Sequence, residues 1–74
     1  MTKPPTLDLH GTPHEEVHDL VHTFVNENWS AQEMVVVTGH SRLMKNIVKE
    51  VLGMYDVEVE EGDPRNQGYL RILK

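Results

Sequence analysis

Residues 34–52 read MVVVTGHSRLMKNIVKEVL, and this stretch decides the fold. Residues 34–38 are apolar enough for a central strand. Gly39 turns the chain, and Ser41 is placed to cap a helix. After it Leu43, Ile47, Val48, Val51 and Leu52 recur at helical spacing, which predicts one buried stripe ending at Gly53. A strand passed through a glycine turn into an amphipathic helix is half of a β-α-β unit.

The flanking sequence supplies the other half. Residues 6–10 (TLDLH) alternate, so Leu7 and Leu9 face a core while Thr6, Asp8 and His10 share the opposite face. Gly11 ends that strand. Thr12-Pro13-His14-Glu15 reads as a helix start, with Thr12 capping, Pro13 in the first helical position and Glu15 completing a capping box. Val17, Leu20, Val21, Phe24 and Val25 form its apolar stripe, and the helix ends within residues 26–30, with Trp29 over an edge of the core. Residues 57–61 alternate again, Val57 and Val59 inward, Glu58 and Glu60 outward. Gly62-Asp63-Pro64 opens a turn that Asn66-Gln67-Gly68 closes, and residues 69–73 form a last strand with Leu70 and Ile72 inward.

The predicted order is β-α-β-α-β-β, an α+β chain. Crossovers give parallel pairing and the hairpin adds an antiparallel pair, so the four-stranded sheet is mixed. The alternating outer strands predict a two-layer sandwich, both helices on one face and solvent on the other. Residues 1–5, with two prolines, read as a flexible lead, and residues 6–74 as a single domain.

Composition narrows the function. There is no cysteine among 74 residues, which excludes a disulfide scaffold. The longest apolar run is residues 34–37, and the opening MTKPPT lacks a signal peptide's apolar segment, so the expectation is a cytoplasmic, monomeric protein with no membrane partner. A net charge of −5, seven Lys/Arg against twelve Asp/Glu, argues against a general polyanion binder. Yet residues 41–49 carry Arg42, Lys45 and Lys49 and no acid.

Open α/β sheets bind ligands beyond the carboxyl ends of their strands. Here that means the loops His10-Gly11-Thr12 and Thr38-Gly39-His40-Ser41, which should lie side by side and bring His10 and His40 together. The helix beginning at Ser41 would add free N–H groups and its dipole, and Arg42, Lys45 and Lys49 a cationic face suited to phosphates. Asp8, two residues before His10, can orient its imidazole for proton transfer. Each feature also has a plainer meaning: a capped turn, a solvated basic face, a turn histidine. His14, His18 and His22, four residues apart, can share a metal, but histidines beside an apolar stripe more often cover its edge. No carboxylate cluster suits two magnesium ions. No metal ligands are assigned and no cofactor is required, with a divalent ion left open as an aid.

Leu7-Asp8-Leu9-His10-Gly11 resembles the first signature of the Smr domain, a small domain found at the C-terminus of one MutS-type family and in many other nucleic-acid enzymes. Thr38-Gly39-His40 is similar to the start of its second signature, with Ser41 where the family carries another glycine. Asn66-Gln67-Gly68-Tyr69 is similar to the Asn-x-Gly that opens the family's last strand, so the match runs from about Thr6 to Leu73. The resemblance implies a fold similar to the C-terminal domain of bacterial translation initiation factor three. It also implies nucleic-acid binding and, in several members, endonuclease activity on DNA or RNA. It assigns cleavage to Asp8 and His10, and substrate contact to Gly39, His40 and Ser41.

The combined expectation is an endonuclease preferring RNA or single strands. Asp8, His10 and His40 would be catalytic; Gly11, Gly39, Ser41, Arg42, Lys45, Lys49, Asn66 and Gly68 would contact nucleic acid. The alternative is a non-catalytic module docking on nucleic acid, a ribosome or a protein. A third possibility is protein interaction or self-association through the open sheet face, including Tyr69 and Arg71.

Overall fold

The computed structural model describes residues 3–63 and 65–74, the side chains of Asp63 and Gln67 excepted. The elements follow the predicted order: β1 (Thr6–Asp8), α1 (His14–Glu27), β2 (Glu33–Val37), α2 (Arg42–Leu52), β3 (Glu58–Asp63) and β4 (Asn66–Leu73). Across the sheet the strands run β1-β2-β4-β3. β1 pairs with β2 in parallel, Leu7 opposite Val36. β4 is antiparallel to both its neighbours, with Val36 opposite Leu70 and Val59 opposite Ile72. The first crossover therefore joins adjacent strands, whereas the second skips the place that β4 fills. The parallel ladder reaches back into the N-terminal lead, because the Pro5 carbonyl accepts the Val35 N–H at 2.9 Å.

One core lies between the sheet and the helices. Leu9, Met34, Val36, Leu70 and Ile72 come from one sheet face; Val17, Val21 and Val25 come from α1; Met44, Val48, Val51 and Leu52 come from α2. A fully buried Val, Leu or Ile is worth about 1.5–3 kcal/mol relative to an exposed one. A chain this short buries only about 60% of its unfolded surface, so each of these side chains matters. The other face is open. At its centre Arg71 Nε donates to Glu33 Oε2 at 2.9 Å and Nη1 to Glu60 Oε1 at 3.3 Å. That hydrogen bond and the charge of Glu33 hold the guanidinium proton more firmly than usual.

The helix faces differ from expectation in two places. In α2 the buried row is Met44, Val48, Val51 and Leu52, and Leu43 is 57% exposed. The Ser41 cap sets this rotation: its Oγ accepts the Met44 N–H at 3.1 Å, and Met44 rather than Leu43 starts the inward row. In α1 the inward row is narrow, and Leu20 flanks it at 40% exposure.

Thr12 does not cap α1, and no capping box forms. Its N–H donates to the Leu9 carbonyl in the preceding turn, and Pro13 takes the N-cap position with no side-chain cap. Pro13 lacks an acceptor side chain; Glu15 and Glu16 in the first turn offset the missing cap by facing the positive end of the helix.

The hairpin also differs. β3 runs to Asp63 and β4 begins at Asn66, where turn residues were expected. The register shifts between Glu61 and Asp63. Gly62 permits this, since a Cβ there would collide with the Asn66 carbonyl. Pro64, assigned to the turn, lies outside the described residues, as do Met1 and Thr2 of the lead.

Trp29, expected over the core's edge, is 40% exposed and stands outside the core, against Tyr55, which itself packs on the core. The Trp29 ring sits 5.8 Å from the Tyr55 ring, with the Lys74 ammonium 4.3 Å over the indole. Among the described residues no helix is long and apolar enough to cross a membrane.

Candidate nucleic-acid interface

The three motif segments meet at one end of the sheet. Because β1 and β2 are parallel, their following loops emerge side by side. Each turns on a glycine in the left-handed region, Gly11 at φ 81° and Gly39 at φ 67°. The His10 ring lies directly on the second loop: a Cβ on Gly39 would stand 3.2 Å from His10 Cδ2. Behind it, the Gly68 carbonyl accepts the N–H groups of both Thr38 and Gly39 at 2.9 Å. Asn66 Oδ1 accepts the Gly68 N–H at 3.0 Å. Thr38 is buried, and its hydroxyl donates to the Gly39 carbonyl at 2.8 Å. Asn66 and Gly68 thus brace the glycine loop from beneath.

Asp8 does something other than orient a ring. Its Oδ1 accepts the backbone N–H of His10 at 2.9 Å, fixing the turn out of β1. Among the described residues no hydrogen bond reaches the His10 imidazole. His10 and His40 are both exposed at this end of the sheet, but no ring contact or hydrogen bond joins them.

Beside the loops α2 forms a polar recess of about 140 Å³, lined by His40, Arg42, Lys45, Asn46, Lys49 and Glu61. Four of these are the expected basic and loop residues; Asn46 and Glu61 are additions. Both left a signal in the sequence. Asn46 is four residues after Arg42 and three before Lys49, hence on their helix face. Glu61 follows Val57 and Val59 at spacing two, so it points to the helix side of the sheet. Lys49 Nζ donates to Glu61 Oε1 at 3.1 Å. That hydrogen bond, then the Lys49 charge, holds the Glu61 carboxyl below its ordinary range, and Lys45 and Arg42 add smaller pulls. The Glu61 carboxylate already occupies the field that a phosphate would enter.

The α1 histidines are arranged differently. His18 and His22 pack with ring centroids 4.6 Å apart, and His22 Nδ1 lies 2.7 Å from the Tyr55 hydroxyl, to which Asn26 Nδ2 also donates at 3.1 Å. His22 and Asn26 thereby staple α1 to Tyr55 in the chain after α2. Among the described residues no group of three or more His, Cys, Asp or Glu is placed to hold a metal.

Comparisons with protein-family models, curated proteins and solved structures give no match to this chain.

Proposed function

We propose that the chain is a cytoplasmic nucleic-acid-binding domain of the Smr type that cleaves RNA or another single-stranded nucleic acid. What carries this reading is the seating of the His10 ring on the Gly39 loop, next to the recess of His40, Arg42, Lys45 and Lys49. A proton-transfer group and a recess lined by three cations then share one end of the sheet, as in the ligand sites of open α/β sheets. The motif resemblance supports the same reading.

In this mechanism Arg42, Lys45, Lys49 and the first N–H groups of α2 hold a backbone phosphate. On RNA, His10 takes the proton from the neighbouring 2′-hydroxyl, whose oxygen attacks phosphorus. The bond from phosphorus to the 5′-oxygen breaks, and His40 gives that oxygen a proton. The products are a 2′,3′-cyclic phosphate and a 5′-hydroxyl end, and a proton passing from His10 to His40 through solvent resets the pair.

The test incubates purified protein and His10→Ala with labelled single-stranded RNA, structured RNA, and single- and double-stranded DNA, in EDTA or in magnesium. The expected result is RNA cleavage that falls about 10²-fold or more in the variant while binding persists. Survival in EDTA separates a metal-free from a metal-assisted reaction. Equal cutting by His10→Ala overturns the assignment.

One observation favours a second reading. Asp8 bonds the His10 backbone rather than its ring, so the imidazole lacks the orienting partner that a catalytic histidine usually has. A non-catalytic module docking on nucleic acid, including a ribosome, would use the same recess. Arg42→Glu would then weaken binding, wild-type protein would cut nothing, and His10→Ala would leave affinity unchanged.

A further inference from the structure

β1 is the terminal strand of the sheet, and among the described residues no strand pairs with its outer edge. Leu9 N–H donates to Val37 and Val35 N–H to Pro5, which fixes the alternation of the parallel ladder. The polar groups of odd-numbered residues face β2. Thr6 and Asp8 therefore present their N–H and C=O groups outward. Pro4 and Pro5 and the shortness of the strand confine this edge to those two residues, which limits indiscriminate pairing.

Beside that edge lies an open recess of about 280 Å³. Its apolar lining is Leu7 from β1 with Leu20 and Phe24 from α1. The exposure of Leu20, anomalous for a core stripe, belongs to this recess. Asp19 and Glu27 also line it, and among the described residues neither carboxylate meets a Lys or Arg. Asp19, beside His18 at 3.8 Å, has a side chain that is 95% exposed.

We propose that this recess takes an extended strand of another protein with the pattern basic–x–large apolar–x–basic. The strand pairs with the outward backbone groups of Thr6 and Asp8. Its residue opposite Leu7 then points to the helix side and fills the space between Leu20 and Phe24. Residues two before and two after it point the same way. Those two are four residues apart, about 13 Å along a strand. Asp19 and Glu27 are eight residues apart on α1, about 12 Å along the helix axis. The spacings match, so cations in the flanking positions meet the two acids. The pattern is symmetric and serves either strand direction.

A second copy of this chain does not fit. Its only two basic residues spaced by four, Lys45 and Lys49 around Ile47, are locked in α2. Its own β1 edge would bring Asp19 and Glu27 against their counterparts.

The experiment uses a capped, fluorescently labelled heptapeptide, Gly-Lys-Thr-Leu-Thr-Arg-Gly, against the full chain. Its comparators are Gly-Glu-Thr-Leu-Thr-Glu-Gly and the basic peptide with Ser for Leu. Wild-type protein is expected to bind the basic peptide about tenfold tighter than the acidic one, two peripheral ion pairs being worth roughly that ratio. Amide shifts should fall on residues 6–8 and 19–27, and the Ser peptide should lose binding. The double variant Asp19→Lys/Glu27→Lys alters only exposed residues and should invert the charge preference. The proposal is overturned by no binding at about 1 mM peptide, by equal affinity for both charges, by shifts confined to α2 or the open sheet face, or by a double variant that keeps the wild-type preference.

Discussion

The Asp8 carboxylate accepts the backbone N–H of His10 at 2.9 Å, so the acid of the Leu-Asp-Leu-His-Gly segment acts on the chain path before any ring. This separates two roles that one substitution would merge. Asp8→Asn keeps an oxygen acceptor and removes the charge, whereas Asp8→Ala removes both. Urea unfolding should find Asp8→Asn within about 0.5 kcal/mol of wild type and Asp8→Ala destabilised by about 1 kcal/mol. Should the proposed cleavage be observed and Asp8→Asn keep it, the charge is not part of the chemistry.

Two glycines offer a matched pair. Gly11 and Gly39 both sit at positive φ, but a Cβ on Gly11 meets open space while one on Gly39 presses on His10 Cδ2. Alanine at either position should cost about 1–2 kcal/mol from the backbone conformation. Only Gly39→Ala should also displace the His10 ring. Thermal unfolding should find Gly39→Ala the less stable of the two, and only that variant should shift the His10 imidazole resonances. Equal stability and unmoved resonances would refute the ring's seating on the loop.

The order of elements was legible because each strand and helix carries its own period, and Gly39-His40-Ser41 and Gly53 mark clear boundaries. Sheet order was not. Alternation tells which face a residue takes, not which strand lies beside it, so the insertion of β4 between β2 and β3 left no local trace. The hairpin was read too short because Gly62 and Asn66 have turn chemistry, yet the ladder with its register shift extends through them. The meeting of the His10 and Gly39 loops was legible from parallel pairing alone. Asp8's choice of backbone over ring was not, since both acceptor geometries suit the same spacing in sequence.

Leu43 and Leu52 test the corrected face of α2. Leu52 is 1% exposed and Leu43 57% exposed. Leu52→Ala should therefore cost about 2–5 kcal/mol, enough to unfold much of so small a domain. Leu43→Ala should stay within about 0.5 kcal/mol of wild type. Chemical denaturation of the two variants decides this, and a reversed order would mean that α2 packs with its other row inward.

Lys49 and Glu61 make the sharpest test of the basic recess. Glu61 draws on the cation that would otherwise meet a phosphate. Glu61→Gln should raise affinity for single-stranded RNA a few-fold. It should also steepen the log–log salt dependence by about 0.7, from about −1.4 for contacts by Arg42 and Lys45 to about −2.1 once Lys49 joins them. The same pair sets a pH signature. Lys49 lowers the folded-state pKa of Glu61 below its ordinary 4.5. Its stabilising contribution is therefore present above that ordinary value and is lost as pH falls through the lowered one. Urea titrations of both proteins from neutral to acid pH should show wild type losing its small advantage over Glu61→Gln only below about pH 4.5. Filter binding across salt supplies the other half. An unchanged slope in Glu61→Gln would show that Lys49 contacts no phosphate, and the anion track would then reduce to Arg42 and Lys45.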